Sequence, residues 1–163
     1  MPVSPERFTV KTQEAIQAAQ QIAQEKQHQE LQPEHLLLAL VRQIEGVVLS
    51  ILERARVSAP RLDARLSAAL EKLPKVSGGR IYASQRLSDL LEKAWSEAQA
   101  LKDEYLSVEH VLIAAADEKG EAGRALREAG LSRDVILAVI KSVRGAQRVT
   151  DPEPEGKYQA LER

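Results

Sequence analysis

The sequence predicts an all-α fold of eight helices, arranged as two pseudo-twofold-related four-helix repeats. Three observations carry that prediction. First, Pro33-Glu34-His35-Leu36-Leu37-Leu38-Ala39-Leu40 is echoed 75 positions on by Val108-Glu109-His110-Val111-Leu112-Ile113-Ala114-Ala115. Both run from a Glu-His pair straight into residues that are apolar on every side, the mark of a buried element. Second, the echo extends beyond these stretches. Ala19, Ala23, Leu31, Leu37 and Ala39 meet Ala94, Ala98, Leu106, Leu112 and Ala114 at the same offset, and after a one-residue deletion Gly46, Leu52, Ala55 and Ser58 meet Gly120, Leu126, Ala129 and Ser132. Self-similarity at a fixed spacing marks a duplicated unit. Third, aromatics make up only 3% of the chain against 44% hydrophobic residues, so the core is built of Leu, Ile, Val and Ala, which suits closely packed helices.

Each element follows from its own residues. Met1–Arg7 is a leader with Pro2 and Pro5, and Thr9 reads as the N-cap of a long first helix. Its apolar face is Thr12, Ala15, Ile16, Ala19, Ile22, Ala23 and Lys26, at three- and four-residue steps. His28–Gln32 is a turn, with His28 a turn residue. The first buried helix runs from about 33 to 43. Helical rather than strand structure is favoured there because Pro33 suits the first helical position and Glu34 meets the positive end of the helix dipole. Gly46 interrupts, a third helix covers 47–55, and Ser58 caps a fourth with Leu62, Leu66, Leu70 and Leu73 inside.

Pro74–Tyr82, with Gly78-Gly79, breaks the pattern and reads as a linker. Ser84 caps the fifth helix, whose inner positions are Leu87, Leu90, Leu91, Ala94, Ala98 and Leu101. Ser107 caps the second buried helix, 108–116. Gly120 and Gly123 flank the start of the seventh helix, which stops at Ala129-Gly130, and Ser132 caps an eighth carrying Val135, Ile136, Val139, Ile140 and Val143. The expected organisation is one domain over 1–145, with repeat one at about 8–73, a linker at 74–83 and repeat two at about 84–144. Residues 146–163, with Pro152, Pro154 and Gly156 among mixed charges, form a flexible linker.

Composition narrows the function. The net charge of −1 supplies no field for nucleic acid or anionic membrane. Phe8, Tyr82, Trp95, Tyr105 and Tyr158 form no base-stacking platform. No cysteine is present, which excludes thiol chemistry and fits a reducing cytoplasm. Neither a secretory signal nor an apolar run of membrane-spanning length is visible.

His35 and His110 are candidate metal ligands or general bases, each at the third position of a buried helix beside a glutamate. The plainer role is structural, an imidazole bonded to local backbone, and duplication explains why there are two. No HExxH spacing or cysteine pair supports a metal. Asp103, Glu104 and Glu109 form an acidic cluster that suits acid–base work or binding, or else a solvated turn. Trp95 is a partner anchor or partly buried core. Leu90 and Leu91 are adjacent, so one completes the core of its repeat while the other faces an open groove. No phosphate-binding loop or nucleophile elbow occurs, and no cofactor is expected in this chain.

The repeated EHLLLAL and EHVLIAA segments resemble the double Clp N motif that precedes the ATPase engines of Clp/heat-shock unfoldases. Leu73-Pro74-Lys75-Val76-Ser77-Gly78 between the repeats, and Arg148-Val149-Thr150-Asp151-Pro152 through Lys157-Tyr158-Gln159-Ala160-Leu161-Glu162, are similar to the linkers of the ClpB-type disaggregases. The resemblance implies an N-terminal domain, with 146–163 leading toward an absent AAA+ module. It further implies a substrate-binding module engaging unfolded or aggregated polypeptide. ATP, a hexameric ring, DnaK cooperation and cytoplasmic location belong to the full-length family protein; the isolated domain is expected to be a monomer. The resemblance places the substrate role on Thr9, Asp103 and Glu109, with an apolar groove near Leu90, Leu91 and Val111 made more polar by His110. Docking of a folded adaptor is the alternative, and a small hydrolase using Glu109 and His110 a remote one.

Overall fold

The computed structural model describes residues 3–145, 148–150 and 152. Among them are eight α-helices: α1 (Val10–Glu25), α2 (Pro33–Val41), α3 (Val47–Arg54), α4 (Ala59–Glu71), α5 (Gln85–Ala100), α6 (Val108–Ala116), α7 (Glu121–Glu128) and α8 (Arg133–Arg144). Helices α1–α4 and α5–α8 repeat one order, so the duplication in sequence is a duplication in structure. The expected linker at 146–163 lies largely outside the described residues.

Helix starts are set by side-chain caps. The hydroxyls of Thr9, Ser58, Ser84 and Ser132 accept from the backbone N–H three residues on, satisfying donors that a helix start leaves free. Every residue of α2 and α6 is buried, and these two helices touch each other at the centre of one continuous core. Around them α1 and α4 cover α2, while α5, α7 and α8 cover α6; α3 packs on α8 and α4 on α7 across the repeats. Polar ties reinforce that seam. Glu34 accepts from Arg86 at 2.8 Å and from the Ala122 N–H at 2.9 Å.

Two features depart from the sequence reading. The expected turn and linker contain β1 (Glu30–Leu31) and β2 (Tyr82–Ala83), which pair in parallel. Phe8 bridges Leu106 in the same sense. These are one contact made twice: the segment entering the first helix of each repeat pairs with the loop before the buried helix of the other. The Thr9 N–H reaches the Leu106 carbonyl at 3.1 Å, and the Ser84 N–H reaches the Leu31 carbonyl at 3.0 Å. The repeats are thus clasped reciprocally through backbone bonds. The second is Val135, one of the apolar residues α8 carries, which is 38% exposed because Ile136, Ile140 and Val143 fill the inward stripe.

Gly123 is where a backbone approach demands glycine. A Cβ there would lie 1.9 Å from the Glu118 carbonyl oxygen, so no larger residue fits without moving the turn before α7.

Candidate functional site

The two buried helices begin in the same way and then diverge. In α6, the Ser107 N–H donates to His110 Nδ1 at 2.9 Å; in α2, the Gln32 N–H donates to His35 Nδ1 at 2.9 Å. Each imidazole therefore caps its own helix start, and accepting at Nδ1 places its proton on Nε2. What receives that proton differs. His110 Nε2–H donates to Asp103 Oδ2 at 2.7 Å, whereas His35 Nε2–H donates to His28 Nδ1 at 2.9 Å. His28 and Asp103 occupy equivalent positions, so the duplicated frame holds a carboxylate in one repeat and a neutral ring in the other. His28 is buried, which corrects its reading as a mere turn residue.

The surroundings follow that difference. Desolvation, with His28 and Lys26 nearby, lowers the His35 pKa to about 4. Desolvation and Lys26 also lower the His28 pKa. In repeat two burial pushes Asp103 upward, but hydrogen bonds from His110, the Val149 N–H and Arg144 outweigh it and hold the carboxyl below its usual range. Arg144, the last residue of α8, reaches Asp103 Oδ2 at 2.7 Å and Glu109 Oε2 at 3.0 Å. Glu109 also accepts from the Ser107 hydroxyl.

This network sets how far the residues expected at the groove are exposed. Glu109, Thr9 and Val111 have no exposed surface, Asp103 and Leu90 are almost fully covered, and His110 is fully enclosed. Paired carboxylates can lie inside because Arg144 bridges them as a shared cation and hydrogen bonds from His110, the Val149 N–H and the Ser107 hydroxyl fill their remaining positions. Thr9 is enclosed by its hydroxyl contact with Thr12 and by the pairing of its backbone with Leu106. Of the residues named from the resemblance, Leu91 alone is partly at the surface. Leu90 points into the core, so the adjacent pair divides between interior and surface. Trp95 is partly buried, with the Arg7 guanidinium carbon 5.8 Å from its ring centre, a cation–π contact.

Two participants escaped the sequence reading. Arg144 stands 35 positions beyond Glu109 and carries no local signal. Residues 148–150 and 152 lie against the same network. The Val149 N–H donates to Asp103 Oδ1 at 2.9 Å, the Glu104 N–H donates to the Val149 carbonyl at 2.7 Å, and the Val10 N–H donates to the Pro152 carbonyl at 2.8 Å. A cleft of about 630 Å³ lies elsewhere, between Gln24, Gln27 and His28 and the 76–81 loop. Among the described residues, no group of three or more His, Asp or Glu is placed to hold a metal, and no helix is long and apolar enough to cross a membrane.

The architecture has known counterparts. Residues 7–129 match the Clp repeat (R) N-terminal domain family. The chain belongs to that family. It is 39% identical over 96% of its length to the chaperone protein ClpB of Bacillus cereus, and 43% identical over 96% to that of Nitratidesulfovibrio vulgaris. It spans 19% of the length of either relative. Among solved structures, the Hsp104 N-terminal domain from Candida albicans superposes with a TM-score of 0.79 at 25% identity, covering 91% of this chain and 98% of that one. The N-terminal domain of the ClpV1 ATPase from E. coli gives 0.75 at 25% identity, covering 92% and 91%. The chain therefore resembles the N-terminal domain of ClpB/Hsp104-type chaperones and corresponds to a small part of such a protein.

Proposed function

We propose that this chain is the substrate-binding N-terminal domain of a ClpB-like, ATP-dependent protein disaggregase and that it engages unfolded or aggregated polypeptide. The observation that carries the reading is the match over nearly the whole chain to chaperones named ClpB, in a domain whose polar cluster is paired internally and whose surface offers Leu91 beside the core. Contact falls to Leu91, with Leu90 and Val111 supporting it from beneath. Thr9 and Glu109 act by fixing the start of α6 and the segment paired with it. Catalysis has no part in this reading: His110 and Glu109 are spent on a helix cap and an ion pair, enclosed from any substrate. Nucleotide, hexamer formation, DnaK cooperation and a cytoplasmic setting belong to the remainder of such a protein, toward which 146–163 would lead.

An unfolded client loses chain entropy on binding, so each contact is weak, and several tethered copies raise the avidity. The test is an NMR titration with reduced, carboxymethylated α-lactalbumin, an unfolded protein. Leu91→Ser should weaken binding at every salt concentration while leaving the melting temperature near that of the parent. Equal binding by a folded Leu91→Ser variant would refute the assignment. Capture of one defined partner peptide is the second reading. It is favoured by a neighbour of the same fold, at 19% identity and a TM-score of 0.63, described as a complex of the ClpV N-domain with a VipB peptide. Tight binding of a single sequence, with no response to unfolded proteins, would select it.

A further inference from the structure

Residues 148–150 and 152 of the segment that follows α8 touch the domain in a particular way. Its polar contacts run mostly through backbone: the Val149 N–H to Asp103 Oδ1, the Val149 carbonyl to the Glu104 N–H, and the Pro152 carbonyl to the Val10 N–H. Val10 opens α1, so the Pro152 carbonyl satisfies one of the amides that a helix start leaves free. One side chain is fully enclosed, that of Val149. Arg148 adds a bond to the Leu101 carbonyl at 2.9 Å. Beside it opens a cleft of about 330 Å³, floored by Leu101, Leu137 and Ile140 and edged by Arg144.

Recognition of this kind reads backbone N–H and C=O groups and one apolar side chain. Any peptide in the same conformation presents the same N–H and C=O groups, so the docking surface tolerates many sequences. The receiving groups also need an occupant. Asp103 Oδ1 is buried with the Val149 N–H as its partner, and uncovering it without a replacement donor leaves a carboxylate oxygen short of a bond. An incoming chain supplies that donor as well as Val149 does.

We infer that the surface formed by Asp103, Glu104, Val10 and the Val149 pocket is a receptor for extended polypeptide with a β-branched apolar residue, and that the chain's own 148–152 segment is its resident, competing ligand. The inference rests on the reading of the domain as a binder of unfolded polypeptide and adds a second site and its regulation. Client binding there displaces 148–152, so occupancy is reported to whatever follows residue 152. Where both ligands compete for one surface, apparent affinity falls by the fraction of molecules left open.

The test uses the full 163-residue chain. Val149→Asp introduces a charge into the apolar pocket and beside Asp103, which ejects the segment; Val149→Ile retains docking. Reduced, carboxymethylated α-lactalbumin should bind the Val149→Asp chain roughly tenfold more tightly than the parent or Val149→Ile, if the segment is docked about nine times in ten. In parallel, a synthetic peptide of residues 146–154 is titrated onto the Val149→Asp chain. It should shift the Val10, Asp103 and Glu104 amides, and a Val149→Asp peptide should not. Unchanged client affinity in a folded Val149→Asp chain overturns the proposal while leaving the client reading intact. Should neither chain bind the client, that reading fails and the peptide shifts alone decide: their presence supports a receptor for extended peptide and their absence refutes it. A Val149→Asp chain that fails to fold would show the segment to be integral structure rather than a ligand, and would also overturn the proposal.

Discussion

Exchanging one residue between the repeats tests the account of both histidines. His28→Asp gives α2 the carboxylate partner that α6 already has. In the parent, His35 has a pKa of about 4 against 6.5 when unburied. Between those values the unfolded chain binds the extra proton and the folded chain does not, so stability falls as the pH falls. The loss attributable to His35 is about 2 kcal/mol by pH 5 and about 3 kcal/mol by pH 4. The lowered pKa of His28 adds to it in the same direction. Geometry explains the resistance: a second proton on His35 must go to Nδ1, which holds the Gln32 N–H, and one on His28 must go to its own Nδ1, which holds His35. Lys26 and Lys75 oppose added charge there, while Glu71 favours it. An aspartate at 28 accepts the His35 Nε2 proton and its charge favours imidazolium, while the Gln32 N–H still occupies Nδ1. Urea unfolding at pH 7 and pH 5 should therefore show the variant losing less than the parent across that interval, by at most about 2 kcal/mol. The comparison is between intervals, so a cost of the new carboxylate at pH 7 cancels. An NMR titration of the His35 ring should read near 4 in the parent and higher in the variant. A parent ring titrating near 6.5, or equal losses in both chains, would refute the reasoning.

Further outcomes follow from the packing. Arg144→Met leaves Asp103 and Glu109 buried without their shared cation and should cost about 3–5 kcal/mol in urea unfolding; a loss below about 1 kcal/mol would mean the carboxylates reach solvent. Leu37, 1% exposed at the centre of α2, should cost about 2–5 kcal/mol when cut to alanine, measured by the same unfolding curve. Gly123→Ala should destabilise by about 1–3 kcal/mol through overpacking against the Glu118 carbonyl, whereas Gly130→Ala meets open space and pays only for its left-handed backbone, which a pair of melting curves will separate.

The helices were legible because their signals are local. A hydroxyl before an apolar stripe, a proline at the first position and a glycine at the stop are read within a few residues. The strands were not, since each is two residues long and exists only because the other repeat presents an edge; Tyr82 and Ala83, both exposed, carry no burial pattern to read. The burial of the candidate site residues was not legible for a related reason. Asp103 and Glu109 look like surface residues until Arg144 is known to lie between them, and that pairing spans 41 and 35 positions. The equivalence of His28 with Asp103 was available from the 75-residue offset, and it is the signal that would have drawn attention to His28.

Duplication gave both repeats the same problem, a buried helix start whose cap is an imbedded imidazole with one proton to place. The solutions constrain what each repeat can do. Repeat one answers with a second neutral ring, and no buried charge follows from it. Repeat two answers with a carboxylate, which then demands a cation; Arg144 supplies it from the end of α8, and Asp103 has an oxygen left over that the Val149 N–H completes. A buried charge therefore ties the loop before α6, the end of α8 and the segment after it into one unit. Removing any member leaves the others short of a partner. A binding event that competes for the last of those bonds is felt at α8 and at the residues beyond it, whereas the same event at repeat one would meet a pair of rings without a buried ion pair, its loop tied to the following segment only by backbone bonds from the Val76 N–H to Gln27 and the Tyr82 N–H to Gln29. On this ground the regulation of the domain belongs to repeat two, and a client that perturbs the Gln27–Gln29 loop while leaving Asp103, Arg144 and Val149 unshifted would contradict it.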